Sequence, residues 1–150
     1  PSRSRGPWHP GRVAAVEVRD ETVIVVARGE VARVLTQRRR WRSWWPSAVA
    51  TVVTDRGLDG MRWSLRGEVV GVTDVSLIDD GDAVRVRYVL SVDPTVPGSP
   101  STARTLPGSP HGQREIDALR RRQQLAWKRA IWALKEELEA SAGRGGRSAR

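Results

Sequence analysis

From Gln113 to Ala140 the chain carries one unbroken amphipathic pattern, in which Ile116, Leu119, Gln123, Trp127, Ile131, Leu134 and Leu138 recur at spacings of three and four. That is the period of an α-helix. At 1.5 Å per residue it makes a rod roughly 40 Å long, with Gly143 available to end it. Such a helix cannot bury its own apolar stripe, and it is long enough to lie across a whole sheet. The rest of the chain has to supply that sheet.

The preceding residues have the other period. Met61 to Val69 alternates, with Met61, Trp63, Leu65, Gly67 and Val69 on one side and Arg62, Ser64, Arg66 and Glu68 on the other. Gly71 to Ile78 sets Thr73, Val75 and Leu77 against Asp74 and Ser76, and Ala83 to Val92 sets Val84, Val86, Tyr88, Leu90 and Val92 against Arg85 and Arg87. One face of each strand is dry and the other wet. Turns rich in Gly and Asp, at 55–60 and 79–82, predict an antiparallel meander, preceded by a strand over Ala48 to Thr54. Val13 to Val18 and Thr22 to Val26 are β-branched runs split by Arg19, Asp20 and Glu21, which allows one long first strand or a small hairpin. Glu30 to Thr36 has helical spacing through Val31, Val34 and Leu35, and Gln37 to Trp44 continues as a second short helix with Trp41 and Trp44 on one face before Pro46 stops it. The fold class is therefore α+β.

Charge bounds the function. The formal net charge of +9 comes mostly from the ends: residues 1–12 hold three arginines and residues 143–150 three more, with no acid in either segment. Residues 13–112 are close to neutral, with thirteen bases and twelve acids. A nucleic-acid domain is expected to carry its basic excess on one structured face, so nucleic acid is not the expected partner. Residues 1–11 and 142–150 read as disordered basic tails around one domain over 12–141, and 93–112, with five prolines and three serines, reads as a flexible loop. No apolar run reaches the roughly 20 residues of a membrane span and no secretory h-region precedes the domain, so a soluble cytoplasmic protein is expected, with at most transient membrane contact. The sequence opens at Pro1 rather than Met, which is read as an N-terminus either trimmed or cut from a longer chain. The absence of cysteine excludes disulfides, thiolate nucleophiles and cysteine-ligated metals.

The order of elements, together with particular segments, resembles the START-like superfamily, specifically the SRPBCC group of polyketide cyclase/dehydrase and lipid-transport proteins of actinobacterial type. The matching residues are Val25-Val26-Ala27 into Gly29-Glu30-Val31, then Val34-Leu35-Thr36, Trp41-Arg42-Ser43-Trp44-Trp45-Pro46, Gly60-Met61-Arg62-Trp63-Ser64-Leu65 and the helix around Trp127 to Lys135. Coverage runs from about residue 21 to about residue 140. Arg28-Gly29 departs from the family's proline-rich helix start, and the Pro/Ser segment departs from its further strands. The resemblance implies a helix-grip fold, in which a curved antiparallel sheet wraps a long C-terminal helix around an apolar cavity.

On that reading Trp41, Trp63, Leu65, Thr73, Val86, Tyr88, Gln123, Trp127, Ile131 and Leu134 face the space between sheet and helix, with Trp44 and Trp45 as a lid at its mouth. The plain alternative for each is core packing, the usual fate of aromatic stripes. Arg38 and Arg42, four residues apart, are placed to flank an acidic head at the rim, although arginine runs more often form a solvated face. Catalytic candidates are few. His9 lies in the basic tail and His111 in the Pro/Ser segment, while Asp79, Asp80 and Asp82 lack the closing Glu of a calcium loop. Tyr88 is the weak catalytic candidate. No metal or cofactor is expected. The expected function is binding or carriage of a hydrophobic small molecule, lipid or polyketide-like; the alternatives are a polyketide cyclase or dehydratase, and a basic module for nucleic acid or anionic membrane. The residues do not determine the oligomeric state.

Overall fold

The structure, a computed structural model, describes residues 13–148, with side chains through residue 144. The expectations for residues 1–11, His9 among them, and for residues 149 and 150 lie outside the described residues. In chain order the elements are β1 (Val16–Ile24), α1 (Arg28–Leu35), α2 (Arg38–Trp44), β2 (Ala48–Asp55), a single 3-10 turn (Gly57–Asp59), β3 (Gly60–Gly67), β4 (Val69–Asp80), β5 (Ala83–Val96), β6 (Ser99–Ala103) and α3 (Pro110–Ser148). The strands form one curved, open antiparallel sheet in the order β1-β5-β4-β3-β2, with β6 paired to the end of β5, and α3 packs along its inner face. This is the α+β architecture expected, helix-grip-like, with two short helices after the first strand.

Alternation decides which face is inner. Val16, Val18 and Ile24 of β1, Met61, Trp63 and Leu65 of β3, Val75 and Leu77 of β4, and Val84, Val86, Tyr88, Leu90 and Val92 of β5 are all buried, and they meet Leu119, Trp127, Ile131, Leu134 and Leu138 of α3. The register aligns them in rows across the sheet, with Val18 opposite Leu90, Leu90 opposite Thr73, and Thr73 opposite Trp63. A slip of one residue in any strand would expose its whole apolar set. Two glycines pin that register. Gly81, at φ 68, is the first residue of a two-residue turn joining Asp80 to Ala83, which is the position a type II′ hairpin requires. Gly60, at φ 124, starts β3 where an added Cβ would lie 1.9 Å from the Val75 carbonyl oxygen.

Three sequence expectations change, and the choice left open for the first strand is decided: it is one long strand across Arg19, Asp20 and Glu21, because inward-facing Asp20 accepts hydrogen bonds from Trp127 Nε1, at 3.1 Å, and Lys128 Nζ on α3. A polar side chain on the dry face is tolerated once it is paired. Val69 opens β4 rather than ending β3, since the chain reverses at Gly67-Glu68. The expected flexible loop at 93–112 is mostly regular: β5 runs through Pro94 to Val96, Pro97-Gly98 turns with Gly98 at φ 77, and β6 follows. Proline content misled here because proline is also at home at ordered positions, such as Pro110 at the first turn of α3, behind Ser109, whose Oγ accepts from Gly112 N at 3.2 Å. His111 consequently lies in that first turn, 3.1 Å from Glu115, rather than in a loop. Finally, α3 continues beyond Gly143 to Ser148, and Gly143 keeps negative φ instead of forming a left-handed cap.

Candidate ligand site

Five of the seven tryptophans and the single tyrosine converge between the sheet and α3. The short α2 helix, closed by Pro46, delivers three of them: Trp41 and Trp44 share the helix's inner face, and Trp45 follows at its C-cap. Trp63 comes from β3, Tyr88 from β5 and Trp127 from α3. Trp41 stands edge-on to Trp63 with centroids 5.9 Å apart, and Trp45 is tilted against Trp63 at 4.8 Å. Trp44 lies edge-on to Trp45, Trp63 and Trp127 at 5.7, 6.5 and 6.3 Å. Tyr88 stacks flat on Trp127, 3.7 Å between centroids and 4° from parallel. Edge-to-face and stacked pairs are the favoured arrangements of such rings, each contributing about 0.5–1.5 kcal/mol beyond area burial.

Most polar atoms of this cluster have partners. Trp41 Nε1 donates to the Leu35 carbonyl at 3.0 Å, Trp45 Nε1 to the Tyr88 hydroxyl at 2.9 Å, and Trp127 Nε1 to Asp20. Thr73 Oγ1 donates to the Val89 carbonyl at 3.1 Å, and Gln123 Nε2 reaches Ser47 Oγ at 3.5 Å. Trp63 Nε1 is, among the described residues, the buried side-chain nitrogen or oxygen that finds no partner. Burial pushes the Tyr88 hydroxyl up to about 12, against the opposing hydrogen bond from Trp45.

All twelve side chains expected to line a pocket, Trp41, Trp44, Trp45, Trp63, Leu65, Thr73, Val86, Tyr88, Gln123, Trp127, Ile131 and Leu134, are brought together and buried. Trp44 and Trp45 belong to the interior, not to an outer lid: their exposures are 4% and 2%. They are drawn in because α2 rolls its apolar edge onto the sheet, so the indoles cover one another. The remaining gap between Val31, Leu35, Trp44, Trp127, Ile131 and Leu134 is too narrow for a water molecule.

Arg38 and Arg42 stand on the outer side of α2 and line a separate surface cleft of about 610 Å³, together with Trp41, Val49, Arg66 and Glu68. Alternation in β3 marks Arg66 as outward, but nothing in the sequence tied it to α2. A second cleft, of about 670 Å³, lies between the β5–β6 hairpin and the start of α3, lined by Thr95, Pro97, Arg104, Leu106, Glu115 and Arg122. Reading that segment as a loop hid this cleft from sequence reasoning; the Pro97-Gly98 dipeptide was the available turn signal. Among the described residues no group of three or more His, Asp or Glu converges as a metal site, and no helix is long and apolar enough to cross a membrane.

No family model and no curated protein matches this chain. Among solved structures it is similar to protein CV1439 from Chromobacterium violaceum, with a TM-score of 0.52 and 11% identity over 83% of this chain and 98% of that one. TTHA0849 from Thermus thermophilus aligns with a TM-score of 0.45 and 14% identity over 84% and 98% of the two chains. At such identity the first likeness concerns the fold alone.

Proposed function

We propose that this chain binds and carries a hydrophobic small molecule, lipid or polyketide-like, held between the sheet and α3. The observation that carries this reading is the unpartnered Trp63 Nε1 at the centre of an otherwise apolar, aromatic wall. A buried donor without an acceptor costs about 1–3 kcal/mol, which an acceptor atom on an apolar guest would recover. Small-molecule sites commonly combine an apolar lining with a few such polar groups. The resemblance of Trp41 to Pro46 and of the Trp127 helix to the START-like superfamily supports the same reading.

Admission of a guest requires α2 to part from α3. The links to break are few: the Trp44 edge contact with Trp127, the Trp45 bond to Tyr88, and the Arg40–Glu137 ion pair at 2.7 Å on the half-exposed side. The guest would cover the apolar surface that this motion uncovers. Tyr88 favours binding over proton transfer, because its hydroxyl already accepts from Trp45 and holds its own proton well beyond neutral pH.

Native mass spectrometry of gently purified protein, followed by titration with an apolar fluorescent probe, tests the proposal. A copurifying mass or saturable probe binding that weakens in Trp63→Phe is the expected result. Neither a bound mass nor probe binding would refute it. Should a linear poly-β-ketone turn over, and Tyr88→Phe abolish turnover while probe binding persists, the cyclase reading would replace carriage.

A further inference from the structure

We propose that the cleft between α2 and the β2–β3 hairpin receives the oxyanion head, carboxylate or phosphate, of an amphiphile whose apolar part enters the aromatic cluster past Trp41. The inference rests on the apolar-guest reading above. Three arginines converge on this cleft from two elements: Arg38 and Arg42, one helical turn apart on α2, and Arg66 on β3, paired across the strands with Val49. All three are exposed. Of the sixteen other arginines with described side chains, nine pair with carboxylates, among them Arg28–Asp59, Arg40–Glu137, Arg56–Asp74, Arg85–Glu21 and Arg104–Glu115. Among the described residues Arg38, Arg42 and Arg66 have no ion pair, and Glu68 is the one acid facing them across the cleft. Planar guanidinium forks suit carboxylate and phosphate, and an apolar floor beneath them suits the chain attached to such a head.

That floor is made by Trp41, Pro46, Ala48, Val49 and Ala50. Val49 is 58% exposed, an apolar side chain left in water beside three cations. Trp41 belongs to both places. Its ring carries the Arg38 guanidinium 5.7 Å from its centroid on the cleft side and meets Trp63 at 5.9 Å on the inner side. A single indole thus separates the cationic cleft from the unpartnered Trp63 nitrogen. An anionic head fits outside this wall, and the apolar tail enters behind it only when α2 parts from α3, since the closed interior has no room for it.

Binding of monomeric dodecanoate, dodecyl phosphate, dodecanol and inorganic phosphate to the full chain, measured by calorimetry, tests the inference. Dodecanoate and dodecyl phosphate should bind about tenfold or more tighter than dodecanol, and Arg42→Gln or Arg66→Gln should each reduce that preference about three- to tenfold without changing dodecanol binding. Both arginines are exposed and unpaired, so neither change should disturb folding, which a urea midpoint verifies. Equal affinity for dodecanol and its anionic counterparts, or a preference insensitive to both substitutions, overturns the cleft assignment while leaving the apolar-guest reading standing. Inorganic phosphate binding as tightly as dodecyl phosphate, with no binding of dodecanol, refutes the apolar-guest reading and with it the amphiphile. Absence of binding by every probe overturns both.

Discussion

Tyr88 is the only tyrosine in the chain, so its ionisation can be read without ambiguity. In the folded protein its ring lies flat on Trp127, its hydroxyl accepts from Trp45, and burial pushes its pKa from 10.0 up to about 12. Below pH 10 the phenol holds its proton in both folded and unfolded chains and contributes no pH dependence. Between about pH 10 and 12 the unfolded chain ionises while the native one does not, so stability falls as pH rises. Two pKa units at about 1.4 kcal/mol each set the loss at about 3 kcal/mol, complete by about pH 12. Tyrosinate absorbance and urea denaturation, each followed across this range, measure the two sides of the linkage. Tyr88→Phe isolates the phenol: it should flatten the tyrosine part of the alkaline slope while costing about 1–3 kcal/mol at neutral pH, because Trp45 Nε1 loses its acceptor. Tyrosinate appearing near pH 10 in protein that is still native would refute the reasoning, since it would mean that water reaches the hydroxyl and the aromatic cluster stands open.

Three further outcomes follow from the packing. Asp20→Ala leaves Trp127 Nε1 without an acceptor and should lower stability by about 1–3 kcal/mol, whereas Lys128→Gln, which removes only a half-exposed charge from the same carboxylate, should stay within about 1 kcal/mol; urea midpoints at unchanged slope compare them. Gly60→Ala drives a Cβ into the Val75 carbonyl at positive φ and should cost more than about 2 kcal/mol, while Gly57→Ala, at φ 61 in open space, should cost about 1–2 kcal/mol; equal melting temperatures would contradict the close approach of β3 and β4. For Asp74, burial acts to raise the pKa, but hydrogen bonds from Arg56 and Arg62 outweigh it and hold the carboxyl below its usual 3.8. Its contribution is therefore present above about pH 4 and lost as pH falls through the folded value; Asp74→Asn should flatten that acid limb in pH-dependent unfolding.

The periodic parts of the chain were legible because each pattern reports a local requirement. Alternation in Met61 to Leu65 and Val84 to Val92, and the three-and-four spacing of Leu119 to Leu138, can be satisfied only by strands with one dry face and a helix with one dry stripe. The twelve residues expected to line a pocket are all buried for the same reason: inward residues of elements that pack together must meet. Segments whose conformation depends on partners distant in sequence were not legible. Around Asp20 the pattern allowed one long strand or a hairpin, and the choice falls to Trp127 and Lys128, more than 100 residues away, which supply its hydrogen bonds. The Pro/Ser segment looked like a loop, although Thr95 is held by bonds to the Gly67 and Glu68 carbonyls, which no composition rule anticipates.

By itself, then, the sequence determined the α+β class, the inner faces of β3, β4 and β5, the buried stripe of α3 and the aromatic composition of the interior, because these depend on side-chain period alone. Tertiary structure decided the rest. It turned Trp44 and Trp45 inward, closed the space around them to water, left Trp63 Nε1 without a partner, and brought Arg66 beside Arg38 and Arg42. Those outcomes depend on which surfaces meet and at what distance, and separation in space is a quantity that no local pattern of residues encodes.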